Sequence, residues 1–170
     1  IERGRRKTTS MHDEPPHHRP QIRKAGPADL TDLEQLDRHI APPVLRESIE
    51  HARVLVAYSG HEFDGEIIGW LRWNLFWDET PFMNMLFVVE PWRGQGIGSR
   101  LIAKWEKDAK LQGHKRVLTS TRSDEAAQHF YRKHGWIDCG ALILPDEPTE
   151  LLLRKELVNA RRPHSPGPIS

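Results

Sequence analysis

Residues 93–98 read Arg93-Gly94-Gln95-Gly96-Ile97-Gly98, three alternating glycines behind an arginine. An apolar stretch, Met85-Leu86-Phe87-Val88-Val89, comes before this run. Ile97, Leu101, Ile102, Trp105 and Ala109 come after it, at the spacing of one helical face. The glycines therefore mark a junction where a strand gives way to a helix. The first backbone N–H groups of a helix have no partner inside it, and the helix dipole favours negative charge there. Without Cβ atoms, Gly94, Gly96 and Gly98 let the chain come close to a ligand. A phosphate or pyrophosphate is the ligand that such a cradle suits.

Three familiar phosphate loops do not fit. A Walker A loop needs a lysine after its last glycine, and none stands here. The dinucleotide fingerprint counted from Gly94 ends on Ser99 instead of glycine. A kinase glycine loop joins two strands and does not open a helix. The spacing that does fit is Arg93-x-x-Gly96-x-Gly98. It resembles the Arg/Gln-x-x-Gly-x-Gly/Ala signature of the GCN5-related N-acetyltransferase (GNAT) superfamily.

A second stretch strengthens the resemblance. Residues 124–136 read Asp-Glu-Ala-Ala-Gln-His-Phe-Tyr-Arg-Lys-His-Gly-Trp. They are similar to the superfamily pattern Asn-x-x-Ala-x-x-x-Tyr-x-x-x-Gly-Phe, with Ala127, Tyr131 and Gly135 in place and Trp136 for Phe. Asp124 replaces the Asn. The interval between the motifs has room for one helix (98–112) and one strand (116–121).

The resemblance spans residues 21–157 and implies an α+β fold. Its sheet is expected to be mixed but mostly antiparallel, with about seven strands, about four helices, and a splay at the cofactor strand. It implies a coenzyme A thioester, acetyl-CoA, as co-substrate. The pyrophosphate would lie on Arg93, Gly94, Gln95, Gly96, Ile97, Gly98, Ser99 and Arg100, and the pantetheine arm along the backbone of Val88 and Val89. Asp124 would stand near the cofactor. Tyr131 would protonate the departing thiolate, since a free thiol titrates near ~8.5 and a phenol near ~10. The implied activity is N-acetyltransfer to a primary amine of a small molecule or protein by direct attack. The alternative is a non-catalytic acyl-CoA sensor, against which the retained tyrosine argues.

The acceptor side is read from the residues themselves. Trp77, Asp78 and Glu79 fall in a turn, where recognition residues concentrate. Asn84 is a polar residue in the apolar strand Phe82–Leu86, either a structural hydrogen-bonder or part of an acceptor channel. Trp70 and Trp73 read as core. Asp78, Glu79 and Glu90 are alternative bases for an amine, directly or through a water. Cys139 has no paired base and reads as a small buried hydrophobe.

The remaining order of elements is strand 21–24 and a helix from Pro27 to Ile40, interrupted by Pro42 and Pro43. A short helix 44–51 and strands at 53–58, 66–77 and 82–89 follow. Beyond the two motifs lie helix 124–134 and strands 137–144 and 151–157. The length of 170 residues suits one domain. The net charge of +1 gives no bulk signal for nucleic acid. The lone cysteine excludes an intrachain disulfide, no apolar run is long enough to span a membrane, and no secretion signal is seen, so a cytoplasmic enzyme is expected. A homodimer is compatible with the sequence.

Residues 1–20 and 158–170 are rich in Arg, His or Pro, with little to bury, and read as disordered tails. His12, His17 and His18 form a histidine cluster there that reads as solvated, so no metal is expected. A fragment spanning 20–157 is expected to melt within a few degrees of the full chain. Loss of cooperative unfolding on trimming would show that a tail docks on the domain.

Overall fold

A computed structural model describes residues 19–60 and 65–157. The histidines at 12, 17 and 18 and most of both predicted tails lie outside the described residues. The chain runs β1 (Gln21–Lys24), a 3-10 turn (Pro27–Asp29), α1 (Leu30–Leu36), α2 (Pro42–Glu50), β2 (Val54–Tyr58), β3 (Ile67–Phe76) and β4 (Thr80–Val88). A second 3-10 turn (Glu90–Trp92) leads to α3 (Ile97–Leu111), β5 (Arg116–Arg122), α4 (Ala127–Lys133), β6 (Ile137–Leu142) and β7 (Glu150–Glu156). The expected α+β class, seven strands and four helices are all present.

The strands form one sheet in the order β1-β2-β3-β4-β5-β7-β6. Every neighbouring pair is antiparallel except β4 and β5, which run parallel. That parallel contact holds at only two residue pairs, Phe82↔Leu118 and Met83↔Thr119. Beyond Met83 the two strands part, and this is the expected splay. At the same level β4 carries a bulge: Arg72 pairs with Met85 and Trp73 with Met83, so Asn84 is left over. A bulge re-aims side chains and bends its strand.

Apolar residues on both faces of the sheet make two cores. On one face Leu101, Ile102, Trp105 and Ala109 of α3 pack with Leu55, Leu71, Met83, Val117, Tyr131 and Trp136. Trp73 joins this face, 6.4 Å from Trp105. On the other face Leu33 of α1 and Leu45 and Ile49 of α2 pack with Val54, Val56, Ile67 and Trp70. Period-two alternation in β3 thus assigns Trp70 and Trp73 to opposite cores.

Three local readings change. The first helix ends at Leu36, short of Ile40, because Asp37 turns out of helical geometry (φ −93°, ψ 85°). Asp37 is 1% exposed, and its carboxylate accepts from Arg72 Nε at 3.0 Å and from the His39 backbone N–H. Separating the ion pair would leave an uncompensated buried charge, which holds Asp37 in this pose. Pro42 and Pro43 open α2 instead of separating helices, since the first turn needs no N–H from them. The last helix begins at Ala127, three residues late, because Asp124 and Glu125 are held in a turn: Ser123 N–H donates to Thr149 O and Glu125 N–H to Arg122 O.

Candidate active site

The chain leaves β4 through the 3-10 turn and enters α3 over the glycine run. Gly94 (φ 73°) and Gly96 (φ 77°) adopt the left-handed conformation, which L side chains rarely take. Gly96 is the N-cap of α3 and bears no capping side chain, so the first N–H groups of the helix stay open to a ligand. Gly98 differs from both. Its backbone is ordinary helix, and a Cβ there would stand 3.7 Å from Phe130 and 3.8 Å from Leu86, inside the space between β4 and α4.

That space is a cleft of about 740 Å³. One wall is β4, through Leu86 and Val88, and its rim is Trp92, Arg93 and Gly94. Its floor is the start of α3, from Gly96 to Ser99, and the far wall is α4, through Ala127, Phe130, Lys133 and His134. It lies between β4 and α4, along the part of β4 beyond its last pair with β5.

The backbone of β4 faces two ways. Val89 N–H donates to Ile68 O at 2.9 Å, so its amide belongs to the β3 ladder. Alternation turns Val88 and Leu86 to the opposite edge, toward the cleft. Arg93 Nε donates to Val88 O at 2.8 Å, and the guanidinium lies 5.3 Å over the Phe87 ring. Arg93 thus locks the end of β4 onto the loop and keeps its charge at the rim.

The other predicted contacts divide. Ile97 is buried and anchors the helix start, while Ser99 lines the cleft. Gln95 points back and donates to Pro91 O. Arg100 donates to Pro20 O at 2.6 Å, which ties the beginning of β1 to α3 and turns the guanidinium away from the cleft. Asp124 is exposed and paired with Arg122 at 3.0 Å, outside the cleft lining. Lys133 and His134 complete the far wall of the cleft and were not read from the sequence. The signal for His134 was its place beside Gly135 in the second motif. Its partner lies 35 positions away.

Tyr131 sits behind the cleft wall, 7% exposed, edge-on to Phe130 at 5.6 Å and to Trp136 at 5.8 Å. Burial pushes its phenol up to about 12, and the Thr119 hydroxyl beside it pulls the other way. Thr119 Oγ donates to Met83 O at 3.0 Å and is one half of the last β4–β5 pair. The tyrosine side chain therefore lies at the vertex of the splay, next to the bulge that exposes Asn84.

Trp77, Asp78 and Glu79 form the β3–β4 hairpin, with positive φ at Trp77 (53°) and Asp78 (58°). Trp77 is 82% exposed. The nine residues of β4 separate this hairpin from the glycine loop, roughly 26 Å at the usual ~3.3 Å per residue. Glu79 borders a separate pocket of about 380 Å³ with His114, Lys115 and Arg116. Cys139 is exposed on the edge strand β6, not buried as its residue type suggests.

A sheet that parts beside a glycine-lined helix start leaves room for an extended ligand along the freed edge of β4. The chain belongs to the acetyltransferase (GNAT) family, whose model matches residues 21–136. Solved structures with the same fold include the NatC complex bound to Gag peptide and CoA, at 15% identity and TM-score 0.70, covering 83% of this chain and 100% of that one. A ribosomal-protein-alanine N-acetyltransferase from Brucella melitensis aligns at 20% identity and TM-score 0.66, covering 80% and 99%. An aminoglycoside 6'-N-acetyltransferase complexed with coenzyme A aligns at 16% and 0.66, covering 84% and 99%. No curated protein matches the sequence.

Proposed function

We propose that the protein transfers an acetyl group from acetyl-CoA to a primary amine of a small molecule or protein by direct attack. The observation that carries this reading is the cleft at the β4–β5 splay, with open helix N–H groups on its floor and cations at its rim. Bound acetyl-CoA supplies an activated acyl carbon: the amine nitrogen bonds to it, the carbon–sulfur bond breaks, and the thiolate leaves.

In this reading the N–H groups at Gly96, Ile97, Gly98 and Ser99 hold the pyrophosphate, helped by Arg93. The cleft-facing backbone of Leu86 and the Val88 N–H pair with the pantetheine amides in place of the missing β5 ladder, while the Val88 carbonyl accepts from Arg93. The Val89 N–H is spent on Ile68. Tyr131 directs its hydroxyl at the sulfur. With a phenol at about 12, giving the whole proton to a thiolate of ordinary basicity, near ~8.5, runs uphill by ~5 kcal/mol. The hydroxyl therefore stabilises the departing sulfur by hydrogen bonding, and the amine's own proton completes the thiol.

The α3 and α4 helices cover the face from which the cofactor enters. The amine then reaches the acyl carbon from the opposite face, past the exposed Asn84 at the vertex. Among the acidic residues weighed as bases, Glu90 is exposed beside the loop, whereas Asp78 and Glu79 stand at the distant hairpin. The molecules named for the solved structures, a bound peptide, a ribosomal protein and an aminoglycoside, are of kinds that offer such amines.

The test is turnover against a panel of peptide N-termini, lysine peptides, polyamines and aminoglycosides, read as free-thiol release. Release that depends on one amine class is the expected result. Tight acetyl-CoA binding without release on any amine would replace the enzyme by the sensor.

A further inference from the structure

Ser99 and His134 come together across the cleft from different elements. Ser99 belongs to the first turn of α3 and His134 caps the C-terminus of α4. Ser99 Oγ lies 2.8 Å from His134 Nε2, and His134 Nδ1 lies 2.8 Å from Phe130 O. A carbonyl oxygen only accepts, so Nδ1 carries the hydrogen. In the neutral ring Nε2 is then bare and accepts the Ser99 hydroxyl. The serine hydrogen is turned to the ring, and its lone pairs face a cleft built for an anion. In the empty site this arrangement is poor for a phosphate oxygen.

One proton reverses it. Protonated Nε2 donates to Ser99 Oγ, and the serine hydrogen rotates free to donate to the ligand. The imidazolium adds a positive charge behind it. The other charges facing this pair are the cations Arg93 of the loop and Lys133 of α4, while β4 offers only Leu86 and Val88. Lys155 of β7, beside Gly135, is occupied by Glu106 at 2.8 Å. An anion in the cleft favours the charged form of a ring that stands behind it. Histidine is the side chain whose ordinary titration falls between pH 5 and 8.

We propose that His134 binds a proton together with the cofactor's pyrophosphate, so that the Ser99–His134 pair is a proton-linked anion contact. This inference rests on the cofactor reading above. Proton and anion then each raise the other's affinity by the same factor.

Dephospho-CoA is the probe, because its pyrophosphate does not titrate near neutrality and it lacks the terminal phosphate that does. Calorimetric titration in buffers of different ionisation enthalpy counts protons taken up per ligand bound. The full-length wild type is expected to take up a large fraction of a proton near pH 7.5, and its affinity to fall about tenfold from pH 6 to pH 8. His134→Gln is expected to bind more weakly than wild type at pH 6, to take up almost no proton, and to lose the pH slope. Ser99→Ala keeps the ring but removes the hydroxyl that joins it to the anion, so its uptake should fall below that of the wild type. Should His134→Gln fail to fold, His134→Asn, with its amide nitrogen toward Phe130 O, takes its place. Binding by the wild type without proton uptake, or equal uptake in the His134 variant, would overturn the inference alone. Absence of any binding would overturn the cofactor reading with it.

Discussion

Gly98→Asp is expected to weaken acetyl-CoA binding by at least ~10²-fold while leaving the melting temperature within a few degrees of wild type. The reason lies in the different demands on the three glycines. Gly94 and Gly96 have positive φ, so any side chain there strains the loop whatever the ligand does. Gly98 has ordinary helical backbone, and its missing Cβ opens onto the cleft at normal contact distance from Phe130, Leu86 and Val88. An aspartate in the first turn suits the helix dipole, so the helix does not suffer. The same carboxylate would meet the pyrophosphate at close range. Two like charges about 4 Å apart near a protein surface repel by ~4 kcal/mol, which is ample for a hundredfold loss. Calorimetry with acetyl-CoA, beside a thermal melt, measures both quantities. A folded Gly98→Asp protein with wild-type affinity would show that the cofactor does not sit on this helix start.

The second large effect is expected from Tyr131→Phe: a fall in turnover of ~10²-fold with cofactor affinity nearly unchanged. The ring is an interior group, packed against Phe130 and Trp136, and phenylalanine preserves that packing. Only the hydroxyl at the splay vertex is lost. A donor that acts on the leaving sulfur has its influence in the transition state, so kcat and kcat/KM should fall together. Two pH observations follow from a phenol at about 12. Tyr131 stays protonated from pH 6 to 10, so any alkaline limb of the rate profile in that range survives the substitution. Because the folded value lies above the ordinary ~10, the associated stability is held below pH 10 and drains as the pH rises toward 12. The phenylalanine variant should therefore lose less stability over that interval. Wild-type turnover in Tyr131→Phe, on an amine that the native enzyme acetylates, would remove the residue from the chemistry.

The parts of this fold that were legible in the sequence are those set by local rules. The glycine run, the apolar stripe of α3 and the β5 strand were placed to within a residue because glycine punctuates and period 3.6 is distinct from period 2. What escaped was set by partners far along the chain. Asp37 looked like a helix residue until Arg72, 35 positions away, drew it into a buried pair. Arg100 looked like a phosphate ligand because it follows the loop, yet the carbonyl of Pro20 claims it. Trp77-Asp78-Glu79 had the composition of a recognition turn, but composition does not say at which end of β4 the turn stands. Asn84 read either as a structural hydrogen-bonder or as part of an acceptor channel. The bulge that exposes it arises from the β3–β4 register, which no single strand encodes. His134 was hidden in plain spacing, since its meaning comes from Ser99 across the cleft.

The two-pair contact between β4 and β5 has a consequence for the whole molecule. Strands β1 to β4 form one antiparallel leaf, and β5, β7 and β6 form another. Their backbones are stitched at Phe82–Leu118 and Met83–Thr119 only. The rest of the union is side-chain packing under α3, with Trp105 and Trp136 stacked 6.3 Å apart at its centre. Such a protein has a seam through its middle. A ligand that hydrogen-bonds along the cleft edge of β4 acts as the absent rungs of the ladder. Its occupancy becomes part of the architecture, since at a hundred times its dissociation constant any such ligand adds ~2.7 kcal/mol to the folded state. The enzyme's cofactor would then also be the last strand-like element of its sheet.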